Sequence, residues 1–275
     1  MININTLIAD RFGGELPKNP PTNETMETLL QHRTHRAFLT KEIEPEVLAQ
    51  SIAGAFSAPS KSDLQQTSII HIKSPEKRET ITALMPAMPW IGTCPEFLIF
   101  CADGRRIQRI CEIRDKPFAN DNLDNLIAAV CDTGLAMQAF ISAAESLGLG
   151  CCPISVIRDH METIAEIVKL PERVIPIAGM CIGYPLREGF VSMRLPLAVS
   201  CHTDSYDDSD LEQLVDSYDQ ARDARFSLPV DRQKYKKQYG IADFYGWSED
   251  KARQMSVEER ANVGTYVREH GFSLL

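Results

Sequence analysis

Apolar and polar positions alternate along this chain with two different periods, and the switches between them mark its elements. Over residues 22–36, Met26, Leu29, Leu30 and Arg33 share one face at helical spacing, which predicts a helix. A second helix is predicted after Glu44, where Pro45 suits the first turn and Val47, Leu48, Ser51, Ile52 and Ala55 repeat on one side. Residues 67–73 are short and rich in β-branched side chains, so they read as a strand, and Ser74-Pro75 opens a helix through Leu84. The run Phe97-Leu98-Ile99-Phe100 predicts a buried strand over 96–101, and a helix follows over 105–113. The strongest pattern spans 122–147. There Leu126, Ile127, Val130, Gly134, Met137, Ile141 and Ala144 mark a packed stripe, alanines fill the other faces, and Gly148 supplies the stop. A helix apolar nearly all round belongs in a core or at a subunit interface.

Further on, Asp159 and Glu162 have capping-box spacing and open a helix carrying Ile164, Ile167 and Val168. Residues 174–182 read as a central strand and 197–201 as a short further strand. After 204 the chain turns acidic and polar, with a helix over 211–222 and loop-like sequence over 226–245. Ser256 and Glu259 repeat the capping-box spacing and open a final helix that Gly271 ends. Helices and strands mix without regular alternation, so an α+β architecture is expected rather than a doubly wound sheet. The expected organisation is one domain over 1–275, with its core at about 22–203. The extension at about 204–275 is too poor in apolar residues to form its own core, and is expected to wrap over the main domain or a partner subunit.

The bulk numbers narrow the function classes. With 275 residues, 44% hydrophobic and 24% charged, there is ample material for a large core. A formal net charge of -9 without a basic stripe argues against nucleic acid; Lys234, Lys236 and Lys237 read as a solvated face. None of the eight cysteines forms a CxxC pair, and the six histidines lack metal-ligand spacing, which points to a reducing compartment and no metal site. The N-terminus from Met1 lacks the basic and apolar regions of a signal peptide, and no continuous apolar run approaches the ~18 residues of a membrane span. A soluble, cytoplasmic protein is expected.

Four stretches can carry chemistry. His32-Arg33-Thr34-His35-Arg36-Ala37-Phe38 closes the first predicted helix, where Arg33 and Arg36, three apart, would project from one face. Two guanidinium forks suit a phosphate and the polar edge of a planar ring, although arginines near a helix C-terminus are also ordinary surface charge. The loop 57–65 carries Ser60, Lys61 and Ser62, and its short hydroxyl and amide side chains suit a polyhydroxyl chain or a ring carbonyl. Residues 145–150 lead into Cys151-Cys152-Pro153-Ile154-Ser155. Their glycines follow a helix rather than a strand, which rejects a dinucleotide fingerprint. Last comes Gly183-Tyr184-Pro185, with Arg194-Leu195-Pro196 beyond it.

In this order the four stretches resemble the nitroreductase family, in its longer branch of NADPH-dependent nitroreductases and flavin reductases, over nearly the whole chain from His32. The resemblance implies FMN bound in a homodimer and a mainly antiparallel sheet flanked by helices. It implies that Arg33 meets the phosphate end of FMN and Arg36 the N1–C2 carbonyl edge, with His32 and Thr34 lining the same segment. Ser60 and Ser62 would lie by the ribityl chain and ring, Pro153, Ile154 and Ser155 near N5, and Ser192 and Arg194 at the phosphate, with Lys61 a further cofactor contact. The implied reaction is ping-pong: NADPH or NADH reduces the flavin by hydride transfer to N5, and a nitroaromatic, quinone or free flavin then takes its place. No catalytic nucleophile is required of the protein.

Several positions depart from the family. Ser192 stands where a lysine is common two residues before the phosphate-binding arginine, leaving Lys61 or Arg158 to replace that charge. Pro153 has no N–H to donate, so a hydrogen bond to N5 would come from Ile154 or Ser155. Met88 falls where close relatives carry glutamine, and Asp63 replaces an aromatic residue. The alternative readings are specialised flavin chemistry on a biosynthetic intermediate and a non-catalytic flavin-binding protein.

Overall fold

Four runs of apolar and β-branched residues pair into one antiparallel sheet: β1 (Thr67–His71), β2 (Glu96–Asp103), β3 (Gly150–Ile154) and β4 (Val174–Gly183), in the order β1-β2-β4-β3. The computed structural model describes residues 3–14 and 21–275, so Met1 and Ile2, where the N-terminal reading begins, lie outside the described residues. The first helices are α1 (Ile4–Phe12), α2 (Glu24–Gln31), α3 (Pro45–Phe56), α4 (Pro75–Leu84), α5 (Trp90–Thr93), α6 (Arg105–Ile113) and α7 (Leu123–Ser146). They are followed by α8 (Met161–Val168), α9 (Leu197–Ser200), α10 (Leu211–Phe226), α11 (Lys236–Tyr239), α12 (Trp247–Met255) and α13 (Val263–Glu269). The fold is α+β.

The chain divides into two compact units, residues 33–189 with 260–275, and residues 1–32 with 190–259. The first holds the sheet. Its central strands β2 and β4 are buried almost end to end, and each face of the sheet has its own apolar cluster. Phe97, with Ile81, Ile91 and Ile164, fills one; Phe100, with Phe140 and Ile182, fills the other. Each such side chain contributes roughly 1.5–3 kcal/mol by leaving water. The last sixteen residues belong here as well: Tyr266, Val267 and Phe272 pack against Ala102, Ala129 and Ile175.

Helix α7 keeps its expected limits. Asn122 caps it by accepting from the Asn125 N–H, and Gly148 just beyond its end adopts φ 81°. Its packed stripe keeps four of the expected positions and departs at three: Ile141 and Ala144 are buried, and Leu126 and Met137 pack against the core clusters. Asn125, Ala129, Asp132, Thr133, Ala136 and Phe140 are buried, whereas Ile127 is 50% exposed and Val130 and Gly134 also face outward. At one point α3 approaches closely: a β-carbon on Gly54 would stand 2.7 Å from that of Ala143. By length and composition alone α7 is apolar enough to cross a membrane, a feature that counting continuous apolar runs misses. Its buried Asp132 and Thr133, both hydrogen-bonded, mark it as a core helix.

Three other expectations are corrected. Asp159 does not cap α8; it accepts from Arg260 Nε, and His160 occupies the cap position without a side-chain bond. Residues 197–201 hold the short helix α9, begun by Pro196, rather than a strand. Ser256 ends α12, a helix the polar sequence concealed, and α13 begins only after Asn262.

The second unit is helical. Tyr218 of α10 packs edge-on against Trp247 of α12, and Asp219 accepts from the Ser248 N–H at 3.1 Å. Arg253 lies over the rings of Tyr239 and Tyr245 and donates to the carbonyls of Lys234 and Gly240.

Candidate functional site

The segment following α2 is extended, not helical. His32 takes ψ 133°, Thr34 bridges Cys151 of β3 in parallel register, and the His35 N–H donates to the Cys151 carbonyl at 2.9 Å. Further along, Phe38 bridges Pro185 and the Leu39 N–H donates to the Tyr184 carbonyl at 2.8 Å. The segment 34–38 thus runs beside the outer edge of the sheet. This corrects the expectation that Arg33 and Arg36 share a helical face. In extended backbone, side chains three apart point to opposite sides, so the two guanidinium groups do different work.

Arg36 is exposed, and its guanidinium carbon lies 5.8 Å from the centre of the Trp90 ring. Among the described residues it has no carboxylate partner. Cys152, next to Pro153 on β3, feels the same cation: burial pushes its thiol up, and the Arg36 charge opposes that push. Arg36, Trp90, Cys152 and Pro153 therefore form one cluster at the end of β3. Pro153 and Ser155 are exposed there, while Ile154 points into the core. Arg33 instead reaches the turn after Pro185, with Nη1 3.0 Å from Glu188 Oε1. His35 packs on Gly150 so closely that a β-carbon there would meet its ring at 2.8 Å.

The serine-rich loop is held from beneath. Buried Asp132 of α7 accepts from the Lys61 N–H at 2.9 Å and the Gln66 N–H at 3.2 Å, and Ser60 Oγ accepts from the Gln65 N–H. Ser62, Asp63 and Gln65 all have positive φ, so three residues without glycine's freedom are held in the left-handed region. The loop borders a cavity of about 410 Å³ with Phe56, Gln66 and Arg106 on its walls. Neither proposed substitute for a missing lysine is idle. Lys61 Nζ pairs with Asp124, and Arg158 donates to the Ile177 carbonyl at 2.6 Å.

Ser192 and Arg194 lie in the other unit with His32. Buried Arg11 organises all three. Its Nη1 donates to the carbonyls of His32 and Ser192, both at 3.2 Å, and its own carbonyl accepts from the Arg194 N–H at 2.6 Å. Arg194 Nη1 in turn donates to Ser192 Oγ at 2.5 Å. Arg11, Arg194 and Arg222 border a cavity of about 680 Å³ whose other walls include Leu29, Leu197 and Trp247.

The sequence motifs missed Arg11, Trp90, Asp132 and Glu188. Only Asp132 left a signal, as a lone acid inside an apolar helix. The others are given their roles by residues distant in the chain.

An antiparallel sheet with a cation-bearing extended segment along its edge defines an α+β protein that presents positive charge at a sheet margin. This class agrees with the sequence motifs. The chain belongs to the nitroreductase family: the family's model matches residues 29–184, and the model of its C-terminal domain matches residues 192–275. The chain is 31% identical to an NADPH-flavin oxidoreductase of Vibrio harveyi over 251 residues, 91% of this chain and 99% of that protein. It is 33% identical to an FMN reductase [NAD(P)H] of Bacillus subtilis (strain 168) over 201 residues, 72% of this chain and 81% of the relative. Among solved structures, that of NfrA2 from B. megaterium superposes with a TM-score of 0.81 at 32% identity, covering 92% of this chain and 100% of the other.

Proposed function

We propose that this chain is an FMN-dependent oxidoreductase that uses NAD(P)H to reduce a small acceptor such as a nitroaromatic, a quinone or free flavin. The observation carrying this reading is the exposed Arg36 guanidinium, steadied over Trp90 and without a carboxylate partner among the described residues, at the margin of β3. A fixed, uncompensated cation suits the electron-rich edge of a flavin ring. The donor set therefore fits FMN: Arg36 for the ring edge, Arg33 for the phosphate, and Thr34 and the exposed end of β3 for the ring's flank. In the other unit, Arg194 and Ser192, fixed by Arg11, are proposed as phosphate contacts, with His32 beside them. Ser60 and Ser62 are proposed to serve the ribityl chain and ring, and Lys61 to add positive charge to the cofactor site.

FMN, when bound, supplies the two-electron redox chemistry, in two half-reactions between NAD(P)H and the acceptor. The chain's part is positional and electrostatic. Arg36 would supply positive charge to the ring's N1–C2 edge, with Trp90 and the edge segment positioning its guanidinium. Pro153 leaves that side of the β3 margin without an N–H, so donors there come from Ile154 or Ser155.

We further propose a cytoplasmic homodimer. Leu123, Ile127, Val130 and Leu135 of α7 are exposed, an apolar stretch that water does not favour. The eight cysteines are free thiols, which suits a reducing compartment. The test is spectroscopic: purified protein reconstituted with FMN is expected to show a bound-flavin absorbance that NADPH or NADH bleaches without oxygen. A bound-flavin spectrum that both nicotinamides leave unchanged overturns the reductase reading, and failure to bind FMN overturns the whole proposal.

A further inference from the structure

Arg33 is the residue to which the proposed function gives the FMN phosphate, yet its guanidinium is already engaged. Nη1 lies 3.0 Å from Glu188 Oε1 and 3.4 Å from the Glu188 carbonyl oxygen. The turn bearing Glu188 closes at Gly189, with φ 74°, and a β-carbon there would stand 3.8 Å from Arg33 Cδ. The turn therefore packs along the arginine's stem and brings a carboxylate to its head.

The two partners are unequally placed. The Arg33 side chain is 15% exposed, while that of Glu188 is 86% exposed. A guanidinium withdrawn from water keeps a strong demand for an anionic acceptor. A carboxylate so well hydrated gives up its partner at little cost, as exposed ion pairs generally do. A phosphate brings more charge and more acceptor oxygens to the same fork. Glu188 is thus built as a displaceable occupant rather than a permanent one.

We propose that Glu188 sets the flavin affinity of this protein: its carboxylate competes with the FMN phosphate for Arg33 and keeps bound FMN exchangeable. This rests on the assignment of Arg33 to the phosphate. Competition of this kind acts only on flavins that carry the phosphate, so it blunts discrimination between FMN and riboflavin. An oxidoreductase that also reduces free flavin has use for such an exchangeable site.

The experiment compares the wild-type protein with Glu188→Gln and Arg33→Ala, each loaded with FMN or with riboflavin, and measures Kd from flavin fluorescence on dilution. Glu188→Gln is expected to tighten FMN about two- to fivefold, the range of an exposed ion pair, and to leave riboflavin unchanged. Unchanged or weaker FMN binding in Glu188→Gln overturns the proposal, as does equal tightening of both flavins. Arg33→Ala separates the two levels of the argument. If it leaves the wild-type preference for FMN over riboflavin intact, the phosphate assignment itself fails and the proposal falls with it. If it abolishes that preference while Glu188→Gln changes nothing, the assignment stands and only the competition is wrong. Because Glu188 is a surface residue, Glu188→Ala serves as a second variant with the same expectation.

Discussion

At the scale of single residues, the site is defined by which charges are compensated and which are not. Arg33 has a carboxylate beside it, Lys61 pairs with Asp124, and Arg158 is turned to a backbone carbonyl. Arg36 rests on an indole ring instead. Removing it by Arg36→Ala is expected to slow flavin reduction by NADPH at least about tenfold, since an electrostatic contact to developing charge is lost. Stopped-flow bleaching checks this, and a wild-type rate would show that Arg36 is not at the ring. Asp132 acts differently. Its buried carboxylate satisfies two backbone N–H groups of the serine-rich loop, so Asp132→Asn replaces a charge-assisted acceptor pair with an amide that must turn one N–H toward a donor. A loss of about 1–3 kcal/mol in denaturant unfolding is expected.

At the scale of elements, the joint between β4 and α3 carries a titratable link. Tyr184 donates to Glu44 Oε2 at 2.6 Å, and Lys41 Nζ lies 3.2 Å from Glu44 Oε1 and 3.8 Å from the centre of the Tyr184 ring. The tyrosine hydroxyl, a backbone N–H and the lysine hold the Glu44 carboxyl at about 2, well below its ordinary value of 4.5. A depressed carboxyl stabilises the fold above its unfolded value, so this contribution is complete above about pH 4.5 and is lost as pH falls toward 2. Tyr184→Phe should flatten the acid side of a Tm-against-pH curve within that window. An unaltered curve would mean that the link does not couple strand to helix. The contact between α3 and α7 offers a steric counterpart: Gly54→Val must displace Ala143 and is expected to cost about 1–3 kcal/mol.

For the whole molecule, the main question is what covers the outer face of α7. On α7, Ile127, Val130 and Leu135 face outward, and the proposed dimer would cover them. Val130→Asp places a charge at the centre of that face. It is expected to convert a dimer to a monomer in sedimentation velocity while the circular dichroism spectrum is retained. A wild-type protein that sediments as a monomer at micromolar concentration would remove the dimer from the proposal.

What this chain's own sequence determined is its local grammar. The limits of α3, α4, α6 and α7, the core strands β2 and β4, and the motifs that place the chain in its family all follow from periodicity, proline and glycine positions and cap residues, which act over a few neighbours. What only the tertiary structure decided depends on partners far away in the chain. The segment bearing Arg33 and Arg36 has helical spacing but is drawn into extended form, because its backbone finds hydrogen-bond partners at Cys151 and Tyr184. The inward face of α7, which combines Ala129, Asp132 and Thr133 with Phe140 and Ile141, was set by what α3 and the sheet present to it. Ser256 had the right neighbours for an N-cap yet ends a helix, since a capping box names three residues and not the direction in which the chain continues. Local free energies of a few tenths of a kcal/mol per residue choose an element only until long-range pairing and packing contribute more.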